Sequence, residues 1–502
     1  MTTARCPNSL ASGAAGLRVA LLAAAEVVGV ERVVLPSDNG TELTALASEA
    51  NVGMYRSRDM AGIIRPRTVE QVRRVVEIFG HSTEAGALHP ISTGRNWGLG
   101  SRQPAIDNAV LLDLGGLDRI RDMDITGGWA VIEPGVTQGR LAELLTGTTR
   151  MLNVTASSAH TSVLGNALDR GVGLRHQRVE DLVGLEVVLP DGDLIRLGWW
   201  PDADRPTPVY PYGLGPSALQ LFVQSNLGVA TAAAVRLLPR PEALRVVRLT
   251  FTRDLLAAAV DELRRWVSQG LVRGVLKVYD VTSAELYGGA VGDFLAHVCV
   301  DGTPMTVDAL TDVLVEEAGR CALFSSVSHS DAADQVPDDD VVARMVERAY
   351  AGDPGHNDVL LGATLGQTAE KVDELGRGWL FFLPLVPFSG TAIAHANHLL
   401  AQVLAETGIR CGATLNALGP DVVDFVVSIR FDRGSDETER AHLALDKLYH
   451  LFAEVGFIPY RLDIDHFDWV DRLSPDPQSR AFVRRLKDAI DPNNGIAPGR
   501  YW

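Results

Sequence analysis

From about Ile63 to Pro239 the chain alternates short β-branched runs with segments of helical period and Gly/Pro turns, a pattern that predicts an α+β unit. Strands are predicted at Ala109–Leu114, Trp129–Glu133, Leu185–Leu189 and Ala232–Leu238. Thr68–Phe79 predicts a helix, because Val69, Val72, Val75, Val76 and Phe79 fall on one face and Thr68 is a good N-cap residue. Arg196–Pro216 is rich in Pro, Gly and Trp without a period and predicts a long loop. From about Ala243 to Arg461 the apolar periods lengthen, predicting helices at Asp254–Gln269, Pro304–Ala318 and Thr391–Thr407. Trp379–Leu385 and Val422–Phe431 read as strands among them, which suggests a second α+β unit. A last helix is predicted at Gln478–Ile490, followed by a Pro/Gly-rich tail.

Composition narrows the field. With 502 residues, 46% of them hydrophobic, the chain can bury the core of two or three domains. A net charge of −17 with no basic run argues against a nucleic-acid partner. Cys6, Cys299, Cys321 and Cys411 lack metal-ligand spacing and suggest no disulfide framework, which fits a reducing, cytoplasmic setting. Leu17–Leu35 has an apolar run interrupted by Glu26 and continues as an amphipathic pattern, so it reads as a surface helix rather than a secretion signal. No apolar run reaches the ~18 residues that a membrane-spanning helix needs.

The chemistry is concentrated in glycine loops. Pro90–Ser101 (PISTGRNWGLGS) carries three glycines and several hydroxyl side chains between a strand-like start and a turn, so its backbone N–H groups could converge on an anion such as a pyrophosphate. It is neither a P-loop nor a strand–GxGxxG–helix unit. Three further loops follow in order. Val131–Thr137 (VIEPGVT) ends a strand in a Pro134-Gly135 turn; Ser162–Ala167 (SVLGNA) opens a short helix into Gly171-Val172-Gly173; and Gln224–Thr231 (QSNLGVAT) leads into a strand. The tail reads DPNNGIAPGR from Asp491 to Arg500.

Together with GLEVVLPDG at Gly184–Gly192 and PYGLGP at Pro211–Pro216, these segments resemble the vanillyl-alcohol oxidase and 4-cresol dehydrogenase family of flavoproteins, from about residue 60 to the end. The resemblance implies FAD as cofactor and three parts: a PCMH-type FAD-binding domain (1–240), an α+β cap or substrate domain (241–462), and a C-terminal segment (463–502) that returns to the first. It also implies flavin contacts from Ser92, Thr93, Gly94, Arg95, Asn96, Trp97, Pro134, Gly135, Ser162, Gly165, Asn166, Gly171, Gly173, Gly228 and Val229. Arg500 either lies near the flavin, where a cation favours the anionic reduced form, or is a solvated terminal arginine. The implied partners are a small-molecule substrate and either O2 or a protein electron acceptor, with a homodimer as a further expectation.

The site departs from the family pattern. Tyr460-Arg461 matches the pair that grips a phenolate, and Tyr with Arg suits an oxyanion. A second gripping tyrosine is replaced by Leu99, and the expected catalytic aspartate by Ser157. A serine is no acid or base near neutrality, which leaves His160 as the nearest titratable candidate, although a loop histidine is as readily a hydrogen-bonded structural group. Asp424-Phe425 stands where other members carry the residue that links the flavin, so the flavin is expected to be dissociable and the substrate not a simple para-substituted phenol. The expected activity is hydride transfer from a small alcohol, phenol or amine to flavin N5. Two alternatives are a flavin-dependent transferase like the alkylglycerone-phosphate synthases, whose cap-domain histidine cluster has only His395 and His398 as a counterpart here, and a flavin-binding protein that has lost catalysis.

Overall fold

The computed structural model describes residues 7–35, 51–329 apart from positions 82, 83, 85, 203, 206, 288 and 290, then 341–434 and 436–501. The Thr68 side chain accepts from Gln71 N at 3.2 Å and starts the helix Val69–Gly80, whose Val72, Val75, Val76 and Phe79 are buried. The amphipathic helix Pro7–Val28 lays Ala20, Leu21, Ala24 and Val28 into the same cluster. Beneath them is a four-stranded sheet in the order Val33–Val34, Met60–Ile64, Ala109–Asp113, Ala87–Ile91. An antiparallel five-stranded sheet follows, in the order Ile120–Asp124, Trp129–Ile132, Val229–Arg236, Leu182–Val188, Leu194–Gly198. Strands and helices thus interleave, an α+β architecture.

The stretch after residue 241 differs from its expectation. The three long helices predicted there are present at Leu256–Ser268, Pro304–Cys321 and Gly390–Thr407, but with a fourth at Asp436–Glu454 they cover an eight-stranded antiparallel sheet of which sequence patterning predicts little. Ala243–Phe251 pairs with Phe294–Gly302 along its full length. Phe294, Ala296, Val298 and Val300 enter the helix-covered core while Cys299 is buried in the neighbouring cluster, so both faces are apolar and alternation disappears. Residues Arg196–Pro216 begin in the strand Leu194–Gly198, and from Trp199 on the described residues form no helix or strand.

The far end of this sheet is the part that matters for function. Lys277–Tyr279, Cys411–Ala417 and Val422–Phe431 run side by side, with Lys277 opposite Asn416 and Asn416 opposite Asp424. Val423, Phe425, Val427 and Ile429 point into the core, each such fully buried side chain contributing about 1.5–3 kcal/mol. The two-residue period of a strand then turns Asp424, Val426, Ser428 and Arg430 to the opposite face.

The last segment returns to strand Ala87–Ile91. Leu88 N donates to Gly495 O at 2.8 Å and Ala497 N donates to Leu88 O at 2.7 Å. Asp491 accepts from Gly495 N and Ile496 N, both at 2.9 Å. The buried Lys487 ammonium donates to Asp491 and to the carbonyls of Asn226 and Ile496. The DPNNGIAPG and QSN segments therefore brace one another, and the brace delivers Arg500.

Candidate active site

The glycine loops and the polar face of the cap sheet enclose a cavity of about 450 Å³. One wall is Pro90–Trp97. Gly94 (φ +67°), Gly98 (+76°) and Gly100 (+122°) adopt backbone angles that L side chains avoid, so the loop curls around the opening. Its side chains fasten it to the cap: Trp97 Nε1 donates to Asp373 at 3.1 Å, Ser101 Oγ donates to the same carboxylate at 2.6 Å, and Arg95 donates to Ala369 O at 3.1 Å. The second wall is the helix Val163–Leu168. Ser162 caps it, accepting from Gly165 N at 2.9 Å and donating to Pro134 O at 2.6 Å. A Cβ on Gly165 would stand 2.4 Å from Ser92 Oγ and 3.3 Å from its Cβ, so any other residue there would force the Ser92 hydroxyl to turn away.

Most sequence-predicted contacts line this cavity: Ser92, Thr93, Gly94, Arg95, Asn96, Trp97, Pro134, Ser162, Gly165, Asn166, Gly171, Gly228 and Arg500, with Tyr460 and Arg461. Gly135, Gly173 and Val229 do not line it. A Cβ on Gly135 would meet Gly115 O at 2.3 Å and one on Gly173 would meet Asn153 Oδ1 at 2.0 Å, so both glycines permit close packing behind the walls. Val229 is a buried strand residue of the apolar core. His160 is also outside the lining. Its exposed ring has Nε2 3.6 Å from Glu370, because the 156–160 turn directs Thr155 to Ser158, not His160, toward the cavity. Leu99 and Ser157 do line it, and Ser157 Oγ is 2.6 Å from Thr155 Oγ1. His395 and His398 are exposed on the helix Gly390–Thr407, away from the cavity.

At this end of the cavity two distant segments, Arg461 and Arg500-Tyr501, converge on Asp169. Arg500 Nη2 lies 3.0 Å from its Oδ2, Arg461 Nη2 lies 3.4 Å from the same oxygen, and Tyr501 Oη is 3.4 Å from Oδ1. Burial alone would raise the Asp169 pKa, but Arg500 and Arg461 outweigh it and hold the carboxyl below its usual range. Arg461 Nη2 also donates to Asn96 Oδ1 at 2.8 Å, coupling it to the glycine loop. Its Nε is buried with no hydrogen-bond partner among the described residues. Burial raises the Tyr460 hydroxyl pKa, and Asp424 adds to this while Arg461 opposes it. His89 beneath the site is pushed down to about 3 by burial and by Arg500 and Arg58, so it stays neutral.

Sequence reasoning missed Lys277, Asn416 and Asp169, and saw Asp424 only as a residue unable to link a flavin. The alternation of Asp424, Ser428 and Arg430 through an apolar strand was a usable signal for a polar face. Burial lowers Lys277 to about 8 and raises Asp424 to about 7.

The residues also fit a dinucleotide. Thr161 Oγ1 and Asn166 Oδ1, both on cavity-lining residues, are buried without a hydrogen-bond partner among the described residues, and the glycine loop supplies a curled backbone beside them. A family model described as an FAD binding domain matches residues 60–198. The 4-cresol dehydrogenase [hydroxylating] flavoprotein subunit of Pseudomonas putida is 28% identical over 86% of each chain. Residues 60–198 thus carry an FAD binding domain, in a chain similar to PCMH-type flavoproteins over most of its length. FAD is thus the cofactor of this oxidoreductase family member. The 1'-carboxy-chondrochloren decarboxylase of Chondromyces crocatus is 27% identical, over 97% of both chains. In fold, p-cresol methylhydroxylase with substrate bound superposes with a TM-score of 0.85 over 97% of both chains at 23% identity. Among the described residues no helix is long and apolar enough to cross a membrane.

Proposed function

We propose that this flavoprotein oxidises a small alcohol, phenol or amine whose anionic or polar oxygen is held by Arg461 and Tyr460 at the cap end of the cavity. The observation that carries the reading is the Arg461 guanidinium: it is tied on one side to Asn96 of the glycine loop and to Asp169, yet keeps a buried Nε without a partner. A buried donor left unmatched costs free energy unless a ligand satisfies it. When bound, FAD supplies a two-electron acceptor at N5. Asn96 and Asp169 fix the guanidinium plane, Tyr460 offers a second donor, and the apolar side chains of Leu99, Phe381, Leu383 and Val426 exclude water from the bound substrate.

The flavin is held without a covalent bond, since Asp424 occupies the cavity face of the strand and Phe425 the core. The electron acceptor is O2 or a protein. A second reading, loss of a substrate carboxylate as CO2, is favoured by the likeness to the decarboxylase over 97% of both chains and by five cations, Arg95, Lys277, Arg430, Arg461 and Arg500, lining one cavity. The transferase alternative has no support in the cavity, where His395 and His398 do not appear.

The test is anaerobic titration of the FAD-loaded protein with 4-substituted phenols, benzylic alcohols, amines and carboxylated analogues of each. Bleaching of the flavin by a member of the panel is expected, and CO2 release from a carboxylated member separates the second reading from the first. If light reduces the flavin but no compound does, the protein is a flavin-binding scaffold and the proposal fails.

A further inference from the structure

The missing family aspartate leaves the reaction without an evident proton acceptor, and the cap sheet offers one. Lys277, Asn416 and Asp424 form a polar row across three adjacent strands, all three at least nine-tenths buried and all lining the cavity. The Lys277 ammonium donates to Asn416 Oδ1, which obliges the amide to present Nδ2 to Asp424 Oδ2, 3.2 Å away. Asp424 Oδ1 is left buried with no hydrogen-bond partner among the described residues. A buried carboxylate oxygen with no donor calls for a ligand that brings one.

We propose that Asp424 is the acid–base group of this cavity, taking the proton of a substrate hydroxyl held between its Oδ1 and Arg461, with Asn416 and Lys277 as positioning residues. This rests on the oxyanion site proposed above. The substrate O–H bond breaks, the proton forms a new O–H bond on Asp424 Oδ1, and the electron pair stays on the substrate oxygen facing Arg461. One negative charge moves and none is created, so the transfer avoids two adjacent anions in a buried site. The groups acting on Asp424 are Lys277, Tyr460 and Arg461, and Arg430 extends from its own strand along the same wall. Burial has already raised the carboxyl to about 7, which suits a proton acceptor near neutrality.

The probe is 4-nitrophenol bound to the FAD-loaded protein, because its colour reports ionisation directly. A carboxylate beside the hydroxyl disfavours the phenolate, so Asp424→Asn should lower the pH at which the bound probe ionises by about one unit or more. It should tighten phenolate binding by roughly tenfold, the same coupling read as affinity. Lys277→Met should move the midpoint upward. Should Asp424→Asn fail to load FAD, Asp424→Ser provides the comparison. An unchanged midpoint in the Asp424 variant, with Arg461→Ala still shifting it upward, overturns the role of Asp424 and leaves the oxyanion site standing. No binding of the probe by the unsubstituted protein, or no effect of Arg461→Ala, overturns both.

Discussion

Arg461 and Asp169, 292 positions apart in the chain, meet at 3.4 Å, and Arg500 joins the same carboxylate at 3.0 Å. The segment after residue 241, the glycine loops and the C-terminal tail are thereby pinned at one anion. The three side chains are partly buried, so Asp169→Asn should lower thermal stability at neutral pH, by less than the loss of a fully buried pair would, and loosen both arginines. Because the folded-state pKa of Asp169 is depressed, its contribution is complete above the unfolded value near ~4 and fades as pH falls through the folded value. Melting curves of the two proteins should therefore converge only in strong acid.

His160→Ala tests a position rather than a network. Its ring is exposed and absent from the cavity lining, so reduction of the flavin by substrate should stay within about twofold, as for an ordinary surface change. A hundredfold loss would restore His160 as the base.

Gly165→Ala asks whether the glycine cradle holds the cofactor. The new methyl would meet Ser92 Oγ at 2.4 Å and turn that hydroxyl out of its place in the cavity wall. FAD affinity measured by fluorescence titration should fall roughly tenfold, about 1.4 kcal/mol, with the far-ultraviolet dichroism unchanged.

Acid precipitation of the loaded protein should leave the flavin in the supernatant. Asp424 and Phe425 occupy the linking position of the resembled family, and no described cysteine lines the cavity. Flavin that stays with the precipitated chain would contradict this.

Local patterns made much of this molecule legible. Thr68 with the Val72, Val75, Val76 and Phe79 stripe marks its helix, and VVDFVVSIRF marks a strand, because capping and β-branched runs act over a few residues. The glycine loops were legible for the same reason. The strand Phe294–Gly302 was not, since burial on both faces removes the alternation that would reveal it, and in Ala243–Phe251 the adjacent buried pair Val246-Val247 breaks it. Asp169 carries no local signature either: its role comes from Arg461 and Arg500, which only the folded chain brings to it. Lys277 and Asn416 acquire meaning only through strand register. His160 shows the converse error, a titratable residue close in sequence to the site but turned away from it.

The most direct test of the account is the rate of anaerobic flavin reduction by the most effective compound of the substrate panel, followed by rapid mixing in the unsubstituted protein and in Arg461→Ala. If Arg461 holds the reacting oxygen, the variant should load FAD normally yet reduce it on the order of a hundredfold more slowly, about 2.7 kcal/mol of lost transition-state stabilisation. Equal reduction rates in the two proteins would place the chemistry elsewhere and contradict the site described.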